Sequence, residues 1–244
     1  MWHHMARVLG HVRAPVLRTC DAGAAILSSA MIGTTGRMAA MSNTKCAKPG
    51  PHSATGRAVH TIKVTLRDSR PPIWRCLEVP SSSTLQQLHT IIQVAFGWED
   101  YHIWVFETPW ERYGMTDREL EIRSAAAKRL GQVAPRPGDK LRYTYDFGDD
   151  WEHDIVVQAV NDAEPAIAYP RCLAGRRACP PEDCGGIWGY GYLLEILADP
   201  AHEEHKERLE WLGLDSADEF DPAAFDLAEV NSALSGSATV LVKG

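Results

Sequence analysis

Hydrophobic and polar positions alternate along "TIKVTLRD", residues 61–68: Ile62, Val64 and Leu66 share one face, Thr61, Lys63 and Thr65 the other. A period of two predicts a half-buried strand. "SRPP" (69–72) interrupts the pattern and "IWRCLEV" (73–79) resumes it, so the two runs predict an antiparallel ribbon. The period then changes. In "SSTLQQLHTIIQVAFGW" (82–98), Leu85, Leu88, Ile92 and Phe96 form one stripe while Gln86, Gln87, Thr90 and Gln93 face away. That spacing predicts a helix. Ser83 and Gln86 have the spacing of a capping box, and Gly97 supplies the stop. "YHIWVFE" (101–107) predicts a third strand.

A polar stretch follows (108–138), with a short helix predicted over 117–129. "KLRYTYDF" and "WEHDIVVQAV" read as strands flanking "GDD", a hairpin in which Gly148 takes the positive φ. Tyr143, Tyr145 and Phe147 fall on one face of the incoming strand. Residues 161–190, rich in Pro, Gly and Cys, are predicted irregular. The remainder is helical. One helix covers about 189–198. A second opens at Asp199-Pro200 and stops at Gly213, and a third opens at Asp221-Pro222 with Leu227, Val230 and Leu234 on one face. Strands and one helix first, then helices, predict an α+β fold. The expected domain, residues 58–236, is a single antiparallel sheet packed with helices and a helical C-terminal part; residues 237–244 form a tail.

Residues 1–57 read differently. They hold five of the six Met and show no clear periodicity. We read them as a disordered or mis-called extension, with a targeting segment as the alternative. Charge divides there too: residues 1–55 carry +5 and the rest of the 244-residue chain −12. A body that acidic repels a phosphate backbone, which argues against broad nucleic-acid binding. No apolar run reaches the ~18–20 residues of a membrane span. Six Cys in a chain this long predict a reducing, cytoplasmic setting.

Candidate chemistry gathers in two places. "YDFGDDWEHDI" (145–155) contains a DFG tripeptide, but the chain has no G-x-G-x-x-G and no H-R-D, so a kinase is excluded. Its acids offer a ligand surface for a cation or a basic group: Asp146 and Asp149, with Trp151 and His153 beside them, and Glu182 and Asp183 from the later loop. Strand alternation sends His153 to the side of Trp151 and Ile155, away from Glu152 and Asp154. The plainer reading is a polar hairpin tip. The second place is "CLAGRRACPPEDCGG" (172–186). Cys172, Cys179 and Cys184 offer three ligands for a tetrahedral zinc, with His153 or His102 as the fourth. In an enzyme built this way Glu182 or Asp149 is the acid/base. The spacing lacks the C-x2-C knuckle, and reduced, unliganded thiols explain it as well. Arg171, Arg176 and Arg177 read as a surface patch paired with Glu182 and Asp183, or as a contact for DNA. His89 reads as a hydrogen-bonded core histidine, and "HEEH" (202–205), spaced i, i+3, as a solvated face.

Five runs, taken together, resemble the plasmid pRiA4b ORF-3-like family: "IKVTLRDSRPPIWRCLEVP", "TLQQLHTIIQVAFGWEDYHIWVF", "YTYDFGDDWEHDI", "CLAGRRACPPEDCGGIWGY" and the "WLG…FDPAAFDLAEVN" ending. The resemblance spans about 58–234. It implies an α+β fold and includes TnpR-like passenger proteins of insertion elements, hence a link to mobile elements. A serine recombinase needs a nucleophile context and a helix-turn-helix tail that this chain lacks. The resemblance leads us to expect a non-enzymatic binding or accessory module, with the 146–153 hairpin facing the 172–186 loop.

Overall fold

The computed structural model describes residues 58–241. The extension assigned to 1–57 lies outside the described residues. Eight strands form one sheet: β1 Ala58–Leu66, β2 Trp74–Pro80, β3 Trp104–Glu107, β4 Arg112–Gly114, β5 Ile122–Ser124, β6 Lys140–Tyr145, β7 Trp151–Asp162 and β8 Arg171–Arg176. Their order is β5-β4-β3-β6-β7-β1-β2-β8. Every pairing is antiparallel except β4 with β5. The helices are α1 Leu85–Phe96, α2 Leu130–Val133, α3 Gly186–Ala198, α4 His205–Leu212 and α5 Leu227–Leu241. The architecture is the α+β fold expected, with helices in the C-terminal part; α5 continues past residue 236.

The period-two pattern of β1 survives in three dimensions: Ile62, Val64 and Leu66 are buried and Lys63 and Thr65 are half-buried. β1 sits centrally between β2 and β7. The stripe of α1, Leu85, Leu88, Ile92 and Phe96, is buried on that core. Burying side chains of this size stabilises by roughly 1.5–3 kcal/mol each. Its cap lies one residue later than expected. Thr84 accepts the Gln87 N–H and Gln87 answers to the Thr84 N–H, while the Ser83 carbonyl is taken by Leu130 N–H. Gly97 ends the helix in left-handed backbone, φ 79.

Three regions depart from expectation. The helix assigned to 117–129 is reduced to one 3-10 turn, Ala125–Ala127. Asp117 Oδ1 accepts the N–H groups of Glu119 and Leu120, a turn that competes with helix and feeds β5. The stretch 161–190 is not wholly irregular, since β8 completes the sheet edge beside β2, with Cys76 opposite Ala174 and Trp74 opposite Arg176. The last two helices start late. The Asp199 and Asp221 carboxylates accept from Ala201 and Ala223 and their carbonyls from His202 and Ala224, closing single turns. Asp226 is the residue that caps α5, accepting from Ala228 and Glu229. α5 packs across α1 and β8, and Asn231 exchanges hydrogen bonds with both backbone groups of Cys172. No helix among the described residues is long and apolar enough to cross a membrane.

Candidate functional site

β6 and β7 form the expected hairpin, with Tyr145 opposite Trp151. Its turn is made by aspartates rather than glycine. Asp146 and Asp150 hold left-handed backbone, φ 56 and 55, and Asp146 Oδ1 accepts the Gly148 N–H at 2.9 Å. Gly148 is not among the left-handed residues. Aspartate tolerates this region because its short carboxylate bonds locally. The turn also ends the strand alternation at Tyr145. Tyr143 and Tyr145 are buried, but Phe147 is exposed at the tip instead of sharing their face.

The loop before α3 docks on this hairpin, as the family resemblance led us to expect. Trp98 Nε1 donates to the Pro180 carbonyl at 2.9 Å, and the Glu99 N–H donates to Glu182 Oε2 at 2.7 Å. Tyr145 Oη donates to the other Glu182 oxygen and accepts the Tyr101 N–H. Burial and the Glu182 carboxylate raise the Tyr145 phenol above its ordinary range, so it stays protonated and can donate. Asp149 Oδ2 accepts the Gly185 N–H at 3.0 Å, capping the start of α3 from across the chain. Gly186 makes the closest approach. Its φ is 68, and a Cβ there would stand 2.2 Å from the Asp149 carbonyl oxygen. Only glycine fits.

At the open end of this junction His102 lies between two aspartates. Its Nδ1 is 3.7 Å from Asp146 Oδ2 and its Nε2 is 3.2 Å from Asp183 Oδ1. Nε2 is buried, yet it makes no hydrogen bond: the Asp183 oxygen is near but off the line an N–H would take. One ligand atom from each of the three residues falls within 4.8 Å of the others. Asp146 is buried and Asp183 exposed, so the group opens to solvent. Asp183, like Asp146, holds a positive φ, 58. Exposed Tyr101 and Phe147 flank it in the chain segments that supply His102 and Asp146. Among the described residues, no Lys or Arg pairs with Glu99, Asp100, Asp146, Asp149, Glu182 or Asp183.

The other candidate residues divide. Asp149 and Glu182 spend their oxygens on holding the loop to the hairpin. Trp151 and His153 do not reach a ligand surface; this corrects the sequence reading. Both are buried in an aromatic core, where the His153 ring meets Phe96, Trp98 and Tyr143 with centroids 5.0, 5.3 and 5.4 Å away. His153 Nδ1 bonds the Trp151 carbonyl, and burial lowers its pKa to about 4, so it is neutral. Nor does the thiolate set assemble. Among the described residues, no three of Cys172, Cys179, Cys184 and His153 bring ligand atoms within 4.8 Å. β8 holds Cys172 under α5, and Cys179 accepts from Arg75 Nη2 at 3.1 Å. Burial pushes the Cys179 and Cys184 thiols up to about 12, far from the thiolate that binds metal or attacks.

The arginine patch also separates. Arg171 pairs with Glu78, and neither Glu182 nor Asp183 meets an arginine. His89 is the core histidine expected. Its Nε2 faces Asp100 at 2.6 Å and its Nδ1 faces the Tyr143 hydroxyl at 2.7 Å. Its ring stacks on Trp104 at 4.0 Å. His102 entered the sequence reading only as an alternative fourth ligand to the cysteines. It lies 44 residues before Asp146 and 81 before Asp183, a separation in which no spacing motif exists.

Fold and site together define a class: an α+β domain with one eight-stranded sheet whose β6–β7 turn and pre-α3 loop enclose a histidine and two aspartates. The family model described as "Plasmid pRiA4b ORF-3-like protein" matches residues 58–229, and the chain belongs to that family. It is 37% identical over 182 residues to the uncharacterized protein y4hQ of Sinorhizobium fredii, covering 72% of this chain and 91% of that one. It is also similar to the crystal structure of MM3350, a protein of unknown function from Methanosarcina mazei. That comparison has a TM-score of 0.64 and 35% identity, over 72% of this chain and 98% of the other.

Proposed function

We propose that the protein is a binding module whose ligand is a divalent metal ion held by His102, Asp146 and Asp183, in an accessory rather than a catalytic role. The observation that carries this reading is the buried His102 Nε2, which stands 3.2 Å from a carboxylate oxygen without a hydrogen bond. Two ligands at ~2.1 Å from one metal, subtending 90–110°, stand about 3.0–3.4 Å apart. The donor set, one imidazole and two carboxylates, suits zinc or manganese. The missing Lys and Arg partners support it as well, because a dication offsets charge that the neighbouring side chains leave unpaired. The remaining coordination positions face solvent, where a carboxylate or phosphate on a partner can enter. Because His102 and Asp146 lie beside the hairpin and Asp183 lies on the loop, the metal clamps the two together. The mobile-element context implied by the family fits an accessory module and is part of this proposal.

Isothermal titration of the metal-free protein with zinc and with manganese tests it. The expected result is one saturable site, weakened at least tenfold in Asp146→Asn and in His102→Ala. Equal binding by the wild type and both variants, or no binding by the wild type, overturns the assignment.

A further inference from the structure

A second cavity, away from the metal-binding group, has the features of a ligand site. It lies between the β1–β2 turn and α3 and encloses about 530 Å³, within the ~300–1,000 Å³ range of small-molecule sites. Pro71, Ile73, Ile187, Trp188 and Leu194 make its walls apolar. Three charged residues line it: Arg70, Arg177 and Asp68. Neither arginine pairs with an acid among the described residues, and one acid against two bases leaves the cavity positive.

Two details point to a ligand rather than an idle cleft. Trp188, on the cavity wall, is 85% exposed. An indole so open on the rim of an apolar cavity is a platform for a flat ring. Arg177 itself holds left-handed backbone at φ 70, which a long side chain rarely adopts. Such a conformation persists where its surroundings enforce it, and binding sites are where it concentrates.

From these we infer that the cavity binds a small aromatic carboxylate, its acid group on Arg177 and its ring against Trp188 and Ile187. A guanidinium is matched to a carboxylate by two parallel N–H donors. The apolar walls exclude a fully hydrated polyanion, and the single net positive charge suits a monoanion. This inference is independent of the metal-binding proposal.

Titration of the full chain with indole-3-acetate and with indole-3-acetamide, followed by tryptophan fluorescence and calorimetry, tests it. The acid is expected to bind saturably and at least tenfold more tightly than the amide. Arg177→Gln should weaken the acid at least tenfold and leave the amide within twofold. Asp146→Asn, which removes the proposed metal site, should leave this binding unchanged. Thermal unfolding midpoints within a few degrees of wild type confirm that the variants fold. Equal affinity for acid and amide, unchanged affinity in Arg177→Gln, or no saturable binding of the acid overturns the inference.

Discussion

The outer face of the central strands and the hairpin–loop junction both collect acids, and the two regions satisfy them by opposite means. On the strands, Glu152 meets Arg67 and Arg142, and Glu78 meets Arg171. Each acid finds a guanidinium from a neighbouring strand, because register places Arg142 two residues from the partner of Glu152 and Glu78 opposite Arg171. At the junction, Asp149 and Glu182 meet backbone N–H groups and a tyrosine hydroxyl, Asp146 meets the Gly148 N–H and His102, and Asp183 meets only His102. The first region is neutralised by the fold itself. In the second, among the described residues, no Lys or Arg offsets the charge, which is the condition under which a bound cation gains most. Total acid content is therefore a poor guide to a site; how the acids are partnered is a better one.

Four measurements test this contrast, the strongest first. Gly186→Ala forces a methyl into the Asp149 carbonyl at a left-handed residue. We expect a loss of about 2–5 kcal/mol in urea unfolding, since the loop cannot dock without the close approach. A loss below ~1 kcal/mol would show that the junction yields.

Acid comes next. His153 is buried on the aromatic side of the same strand that carries Glu152, and its pKa falls from 6.5 to about 4. Above pH 6.5 both folded and unfolded forms are neutral there, and the residue adds no pH dependence. As pH falls from 6.5 towards 4 the unfolded chain takes the proton and the folded one does not, so stability drops; below 4 the loss is complete. The drop is about 1.4 kcal/mol per pH unit, or ~3 kcal/mol over the window. The difference between wild type and His153→Leu in urea midpoints at pH 7, 6 and 5 should have that slope, and a parallel pair of curves would refute it.

Tyr145→Phe removes the donor to Glu182 and the acceptor for Tyr101 N–H. We expect about 1–2 kcal/mol, and faster amide exchange at Glu99 and Gly185. Glu152→Gln is the smallest. Its partners are on a partly exposed face, so the change should cost below ~1 kcal/mol. Were Glu152→Gln to cost more than Tyr145→Phe, the contrast between the two regions would be inverted.

Much of this fold was legible in residue order. The alternation at Ile62, Val64 and Leu66 and the stripe at Leu85, Leu88, Ile92 and Phe96 mark burial directly, because one period belongs to one face. The hairpin was legible too, and so was the division between His153 on one side of β7 and Glu152 with Asp154 on the other. The misplaced helix starts share a cause. Asp117, Asp199 and Asp221 are good helix starters in isolation, yet each closes a local turn with its own side chain. β8 has no pattern of its own because its register comes from β2. At the site, proximity in the sequence misled: Trp151 and His153 stand beside the acids on the page and inside the core in space.

The α+β class, the central strands, the first helix and the family follow from residue order, because all of them rest on short-range periodicity or on ordered runs of residues. Which groups meet is set by the folded chain. Trp98 and Glu182 draw the loop onto the hairpin, and that docking brings His102 to Asp146 and Asp183 while keeping three cysteines and His153 apart. Local periodicity reports the face a residue occupies. It carries no record of which distant loop will be folded against that face, because that depends on the sum of packing and hydrogen bonds over the whole domain.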